Sequence, residues 1–247
     1  RTYYTTPAGG LWLYDHDTKT AARVSNATVW DLAVSPSGVA LAYTRTGADR
    51  RHQFVWVLPI IPATGLAAGA ERRVSASPGD APAISPDGRW IAFARDDSTG
   101  VGQGVVVVPV AGGKERVVAP AQPSGIRNIR WTPDGKTLYF GVNTPVPFTC
   151  AESCLTLARP APLVRASIRR IAVAGGPVTT IALTNNPFPG LSPDGTLLVF
   201  GDTTRLRGYV VSDTSGRRLD TLTFAAGHAP IAWSSASTVL TMAAGTV

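Results

Sequence analysis

At 247 residues with 44% hydrophobic and only 16% charged side chains, the chain can bury a sizeable core, and 25 Gly with 20 Pro exclude a predominantly helical protein. The net charge of +7 would favour acidic partners. However, the arginines come in scattered pairs (Arg50 and Arg51, Arg72 and Arg73, Arg169 and Arg170, Arg217 and Arg218) with no interleaved aromatics, so no nucleic acid is expected. No apolar run of about 18 residues is present, so no membrane-spanning helix is expected.

In chain order, "LWLYD" (11–15) and "AARVS" (21–25) read as two short strands. A repeating unit then begins. Turns start at Ser35 ("SPSG"), Ser85 ("SPDG"), Thr132 ("TPDG") and Ser192 ("SPDG"), at steps of 50, 47 and 60 residues, and an eroded copy starts at Ser234. Six residues after each start stand Leu41, Ile91, Leu138, Leu198 and Leu240; eight after stand Tyr43, Phe93, Phe140, Phe200 and Met242. A period of two with large apolar side chains predicts a strand with that face buried. Before the turns, Val34, Ile84, Trp131, Leu191 and Trp233, with Leu32, Pro82, Ile129, Pro189 and Ile231 two positions earlier, predict a preceding strand with its own buried face.

Between these strands Pro presets φ and Gly tolerates the left-handed region, so the tetrapeptide predicts a tight turn. Asp87, Asp134 and Asp194 recur once per unit, which places them far apart and predicts backbone-bonding turn residues rather than catalytic carboxylates. Third strands follow at "FVWVL" (54–58), "VVVVPV" (105–110), "IRRIAV" (168–173) and "YVV" (209–211), each with a short fourth strand after it. Four strands per unit of 40 to 60 residues predict an all-β fold, a β-propeller of four-stranded antiparallel blades.

The expected division is a single domain, 1–247, with blades over 26–75, 76–119, 120–184 and 185–228. A fifth, composite blade joins 1–25 to 229–247; the alternative is a fragment of a six- to eight-bladed ring. The turn-and-strand motifs "SPDGRWIAFARDD", "TPDGKTLYFGV" and "SPDGTLLVFGD" resemble the repeats of TolB-like propellers. Such repeats also form the N-terminal propellers of prolyl oligopeptidase family peptidases. The resemblance implies a WD-like propeller and leaves function open.

No nucleophile elbow, Walker loop or His-Glu-x-x-His is present; "GLSPDG" (190–195) has Asp194 where an elbow needs Gly. The chain is therefore expected to be non-catalytic, with no cofactor and no metal. Cys150 and Cys154, an isolated pair in "TCAESC", predict a disulfide in an oxidising compartment, hence a periplasmic or secreted bacterial protein. They sit in a Pro-rich insertion, 143–166, suited to recognition.

The expected binding surface is the channel mouth, where the innermost strands begin, with Trp30, Asp31, Asp80, Arg127, Asn128, Phe188 and His228 around it. Two residues before each turn the pattern is small (Ala33, Ala83, Gly190, Ala232) except at Arg130. Arg130 is expected either to meet a protein partner or small anionic ligand or to pair with Asp31 or Asp80. The rival to a free-standing binding module is a substrate-gating propeller of a larger hydrolase.

Overall fold

The computed structural model describes residues 1–6, 9–100, 102–145, 164–203, 208–223, 228–233 and 238–243, and none of these is helical. The first sheet is three-stranded: β1 (Thr2–Thr5), β2 (Leu11–Asp15) and β3 (Thr20–Ser25). Four antiparallel four-stranded sheets follow. They comprise β4 (Trp30–Val34), β5 (Ala40–Thr46), β6 (Gln53–Pro59) and β7 (Arg72–Arg73); β8 (Gly79–Ile84), β9 (Trp90–Asp96), β10 (Gln103–Pro109) and β11 (Arg116–Gln122); β12 (Gly125–Trp131), β13 (Thr137–Pro145), β14 (Val164–Ala172) and β15 (Thr179–Thr184); and β16 (Gly190–Leu191), β17 (Leu197–Gly201), β18 (Gly208–Asp213) and β19 (Arg218–Thr223). A last hairpin pairs β20 (His228–Trp233) with β21 (Val239–Ala243). Four complete blades plus the terminal strands are consistent with five blades.

The terminal strands are arranged differently from the simple composite expected. β2 is bonded on both edges, to β1 from Thr2↔Tyr14 to Thr5↔Leu11 and to β3, while β20 and β21 form a separate two-stranded sheet. An edge accepts one neighbour, and the β-branched and aromatic "TYYT" of β1 has taken the edge on which the C-terminal hairpin was expected.

The Ser/Thr-Pro-Asp-Gly turn is a clamp built from its own side chains. In the third blade's "TPDG" the Thr132 hydroxyl donates to Asp134 at 2.5 Å, the Lys136 amide donates to the same carboxylate at 3.0 Å, and the Thr137 amide donates to the Thr132 hydroxyl at 3.0 Å. Ser85 with Asp87 and Ser192 with Asp194 repeat the pattern. The hydroxyl donor, then the amide, holds each of these carboxyls below its usual value. The turn glycines have φ near 70°, which a side chain rarely adopts: Gly38 68°, Gly88 70°, Gly135 68° and Gly195 73°. Where Ser37 replaces the aspartate, the Ser35 hydroxyl accepts from both Val39 and Ala40, each at 3.0 Å.

The core lies between blades. Leu41, Tyr43, Ile91, Phe93, Leu138, Phe140, Leu198 and Phe200 are all buried, as the period of two predicts. Their opposite faces are buried too, because each blade is covered on both sides. Phe140 and Leu138 pack against Ala92, Ala94, Val105 and Val107 of the preceding blade, and Phe93 and Ile91 against Ala42, Val55 and Val57 of the one before. Large side chains of one sheet thus meet small ones of its neighbour, and burying each large side chain stabilises by about 1.5–3 kcal/mol.

Val34 departs from the expected buried face: it is 47% exposed. In the later blades the equivalent Trp131 and Trp233 lie against the preceding innermost strand, their indole N–H donating to the carbonyls of Ala83 at 2.9 Å and Gly190 at 3.1 Å. β4 follows the three-stranded sheet, which offers no such strand. Several arginines also join blades. Arg72 donates to the carbonyl of Val110, Arg116 to that of Val173 at 2.7 Å, and Arg170 to that of Thr214 at 3.2 Å, each just past a third strand of the next blade.

Two substitutions test this packing. A methyl group on Gly141 of β13 would overlap the carbonyl oxygen of Pro187 in the next blade, so Gly141→Ala should destabilise by about 1–3 kcal/mol, read from the urea midpoint. Ser192→Ala leaves the Leu197 amide without its hydroxyl acceptor and should cost about 1 kcal/mol in the same assay.

Candidate binding site where the innermost strands begin

Each innermost strand of the first three complete blades carries one extra residue near its start. The ladder runs Trp30↔Thr44 then Ala33↔Ala42, Asp80↔Ala94 then Ala83↔Ala92, and Arg127↔Gly141 then Arg130↔Tyr139. Within each of these β-bulges one non-glycine residue takes a left-handed φ: Asp31 at 40°, Ala81 at 51° and Asn128 at 50°. Asp and Asn adopt this conformation more readily than most residues; Ala81 has no such help from its side chain and carries the larger backbone strain. Its amide meets the carboxylate of Asp31 in the preceding blade at 3.4 Å.

The bulges turn the strand starts toward a common open cavity of about 220 Å³. Its lining includes Asp31, Asp80, Arg127, Asn128, Arg130 and Phe188, six of the expected residues. One other falls elsewhere. Trp30 is exposed but lines a neighbouring cavity with Thr5, Thr6 and Thr28, because β4 borders the first sheet and its indole lies on that side. His228 opens β20, opposite Ala243. Cys150 and Cys154, with most of the insertion, lie outside the described residues.

The cavity's charges are unevenly matched. Arg127 pairs with Asp80 at 3.4 Å and also donates to the carbonyl of Ile126 at 2.9 Å. Asn128 donates to the carbonyl of Pro189 at 3.0 Å, so its amide joins two blades. Arg130 has neither an ion pair nor a hydrogen bond among the described residues, and the expected pairing with Asp31 or Asp80 is not made. It keeps solvent-accessible surface while crowded by protein, as a group lining an open cavity does, and that crowding lowers its pKa from the usual arginine value. Phe188, 55% exposed, supplies an apolar wall.

Asp80 is tied into a network that reading the sequence missed. The Gln103 side-chain amide donates to Asp80 at 3.3 Å and to Asp96 at 2.8 Å, and its oxygen accepts from the Ile126 amide at 2.6 Å. Asp96 is thus a member of the same network. The available signal was a polar Gln at the head of the otherwise apolar "QGVVVVPV". Burial, against the pull of Arg127 and with the push of Asp31 and Asp96, raises the Asp80 carboxyl to about 6. Among the described residues no three His, Cys, Asp or Glu side chains are placed to hold a metal, and no helix is long and apolar enough to cross a membrane.

No family model matches the sequence, and no curated protein resembles it at sequence level. Solved structures do match its shape. A putative TolB from Agrobacterium tumefaciens superposes with a TM-score of 0.62 at 20% identity, over 87% of this chain and 75% of that one. TolB from Acinetobacter baumannii gives 0.60 at 15% identity, over 85% of this chain and 47% of that one. The fold is that of a TolB-like β-propeller. An acylaminoacyl peptidase from Pyrococcus horikoshii gives 0.58 at 16% identity over 86% of this chain and 35% of that one. The chain therefore spans about half of the Acinetobacter TolB and about a third of the peptidase.

This TolB-like propeller carries a measurable cost at Asp80. A carboxyl whose value rises from 3.8 to about 6 on folding binds its proton more tightly in the folded state, so stability falls as pH rises through that window. Asp80→Asn, which keeps an acceptor oxygen, should be more stable than the wild type at about pH 7.5 by up to about 3 kcal/mol. The difference should vanish below about pH 4, as thermal unfolding across that range would show.

Proposed function

We propose that the chain is a non-catalytic, exported binding module whose channel mouth takes an anionic group: a small anion, or an acidic side chain or terminal carboxylate of a protein partner. The observation that carries this reading is Arg130. At a position where the other blades have Ala33, Ala83 and Gly190, it presents a guanidinium to an open cavity with no ion pair of its own among the described residues. A planar guanidinium matches a carboxylate or sulfate with two parallel hydrogen bonds. Arg127 stands in the same cavity, and exposed Phe188 offers contact to an apolar neighbour of the bound group.

Export rests on the isolated Cys150 and Cys154 pair, read as a disulfide, and on the fold shared with TolB structures. The second reading, a substrate-gating propeller of a larger hydrolase, draws on the fold shared with the peptidase, of which only about a third is covered. A hydrolase domain in the full-length open reading frame would decide for it.

Titration with sodium succinate, followed through the side-chain Nε–H resonances of the arginines, tests the binding reading. Saturable shifts at Arg130 are expected, and Arg130→Ala should weaken binding by about tenfold or more through loss of charge-assisted hydrogen bonds. Absence of any shift at Arg130 would overturn the assignment.

A further inference from the structure

Arg127 and Arg130 share a cavity but not a state. Arg130 is without a partner among the described residues, whereas Arg127 is held by Asp80 at 3.4 Å. That contact is long and made through one guanidinium nitrogen, with the arginine side chain 41% exposed and the aspartate 25% exposed. An anion entering the cavity meets one guanidinium unpaired among the described residues and a second that it must share with a carboxylate.

The groups facing Asp80 come from several strands. β12 contributes Arg127 and, in the same cavity, Arg130; β4 contributes Asp31; β9 contributes Asp96; β10 contributes the neutral Gln103. β5 and β6 meet β8 through apolar Ala42, Val55 and Val57 packed with Ile84. Asp80 therefore has two further carboxylates nearby against one cation in contact, and a second anion adds to that imbalance.

We propose, building on the reading of the mouth as an anion site, that Asp80 is its proton-operated gate. The ionised carboxylate occupies Arg127 and repels an incoming anion, while a proton on Asp80 hands Arg127 to the ligand beside Arg130. The ligand class is a compact oxyanion, such as a carboxylate or sulfate, that can bridge two guanidinium groups. Because burial has raised Asp80 to about 6, the gate opens as pH falls from neutral toward about 5. Anion binding in that range takes up a proton, and by reciprocity the bound anion raises the Asp80 midpoint further.

The test uses the whole chain and sodium sulfate, whose charge is constant over this range, at fixed ionic strength. Sulfate affinity is read from arginine Nε–H shifts at about pH 5 and about pH 7.5 in the wild type and in Asp80→Asn. The wild type should bind about tenfold more tightly at the lower pH, the effect of one like charge removed from a partly buried site after screening. Asp80→Asn should bind with the tighter affinity at both. In the wild type, carboxyl carbon resonances should show the Asp80 midpoint rising by about one unit in saturating sulfate, the linked equivalent of tenfold.

Equal wild-type affinity at the two pH values, a pH effect that survives in Asp80→Asn, or a midpoint unmoved by bound sulfate would overturn the gate while leaving the anion site standing. No sulfate binding at either pH would overturn the anion site and the gate with it. Should Asp80→Asn fail to fold, the wild-type midpoint decides alone.

Discussion

The mouth of this propeller depends on one backbone device, the extra residue near the start of the innermost strand. A regular strand would send alternate side chains into the two neighbouring blades and leave only backbone toward the centre. The bulge breaks that alternation. At Asp31, Ala81 and Asn128 the chain passes through a left-handed conformation, and the side chains around it, Asp80, Arg127 and Arg130 among them, reach a shared cavity instead of the interblade core. The strain is tolerated because the bulge sits within a hydrogen-bonded sheet, with Ala81 and Asn128 also bonded to adjoining blades.

Around that centre the blades are held by three repeated contacts at different radii. Near the axis, indole N–H groups of Trp131 and Trp233 reach the preceding innermost strand. Between the sheets, large apolar side chains meet alanine and valine, and at Gly141 the absence of a side chain lets the next backbone touch the sheet. On the third and outer strands, Arg72, Arg116 and Arg170 bond carbonyls of the next blade. Much of the arginine that makes the chain basic is therefore structural, which separates it from Arg130, whose charge has no such use among the described residues.

The fold was legible because its signals are local and repeated. Four of the turns carry Pro and then Gly, three of them with Asp between, and the second strands that follow these four announce themselves by Leu or Ile and then Tyr or Phe at fixed distances. Legibility failed where a residue's fate depends on a neighbour far along the chain. Val34 matches its counterparts in pattern yet is exposed, because the sheet before it is three-stranded. The C-terminal hairpin was expected on an edge of β2 that β1 occupies. Nothing local to Asp96 records that Gln103, from the next strand, ties it to Asp80.

The sequence by itself determined the turn chemistry, the blade repeat, the buried side chains of the second strands and the position of the anomalous arginine, since each is written within a few residues. Only the tertiary structure decided which polar groups at the mouth are spent, and on what: Asp80 on Arg127, Asp31 and Asn128 on backbone of neighbouring blades, and Arg130 on none among the described residues. The reason is geometric. The bonded partners lie 47 to 61 positions apart in the chain, and no local pattern records how far a bulge rotates one blade's side chains toward another's.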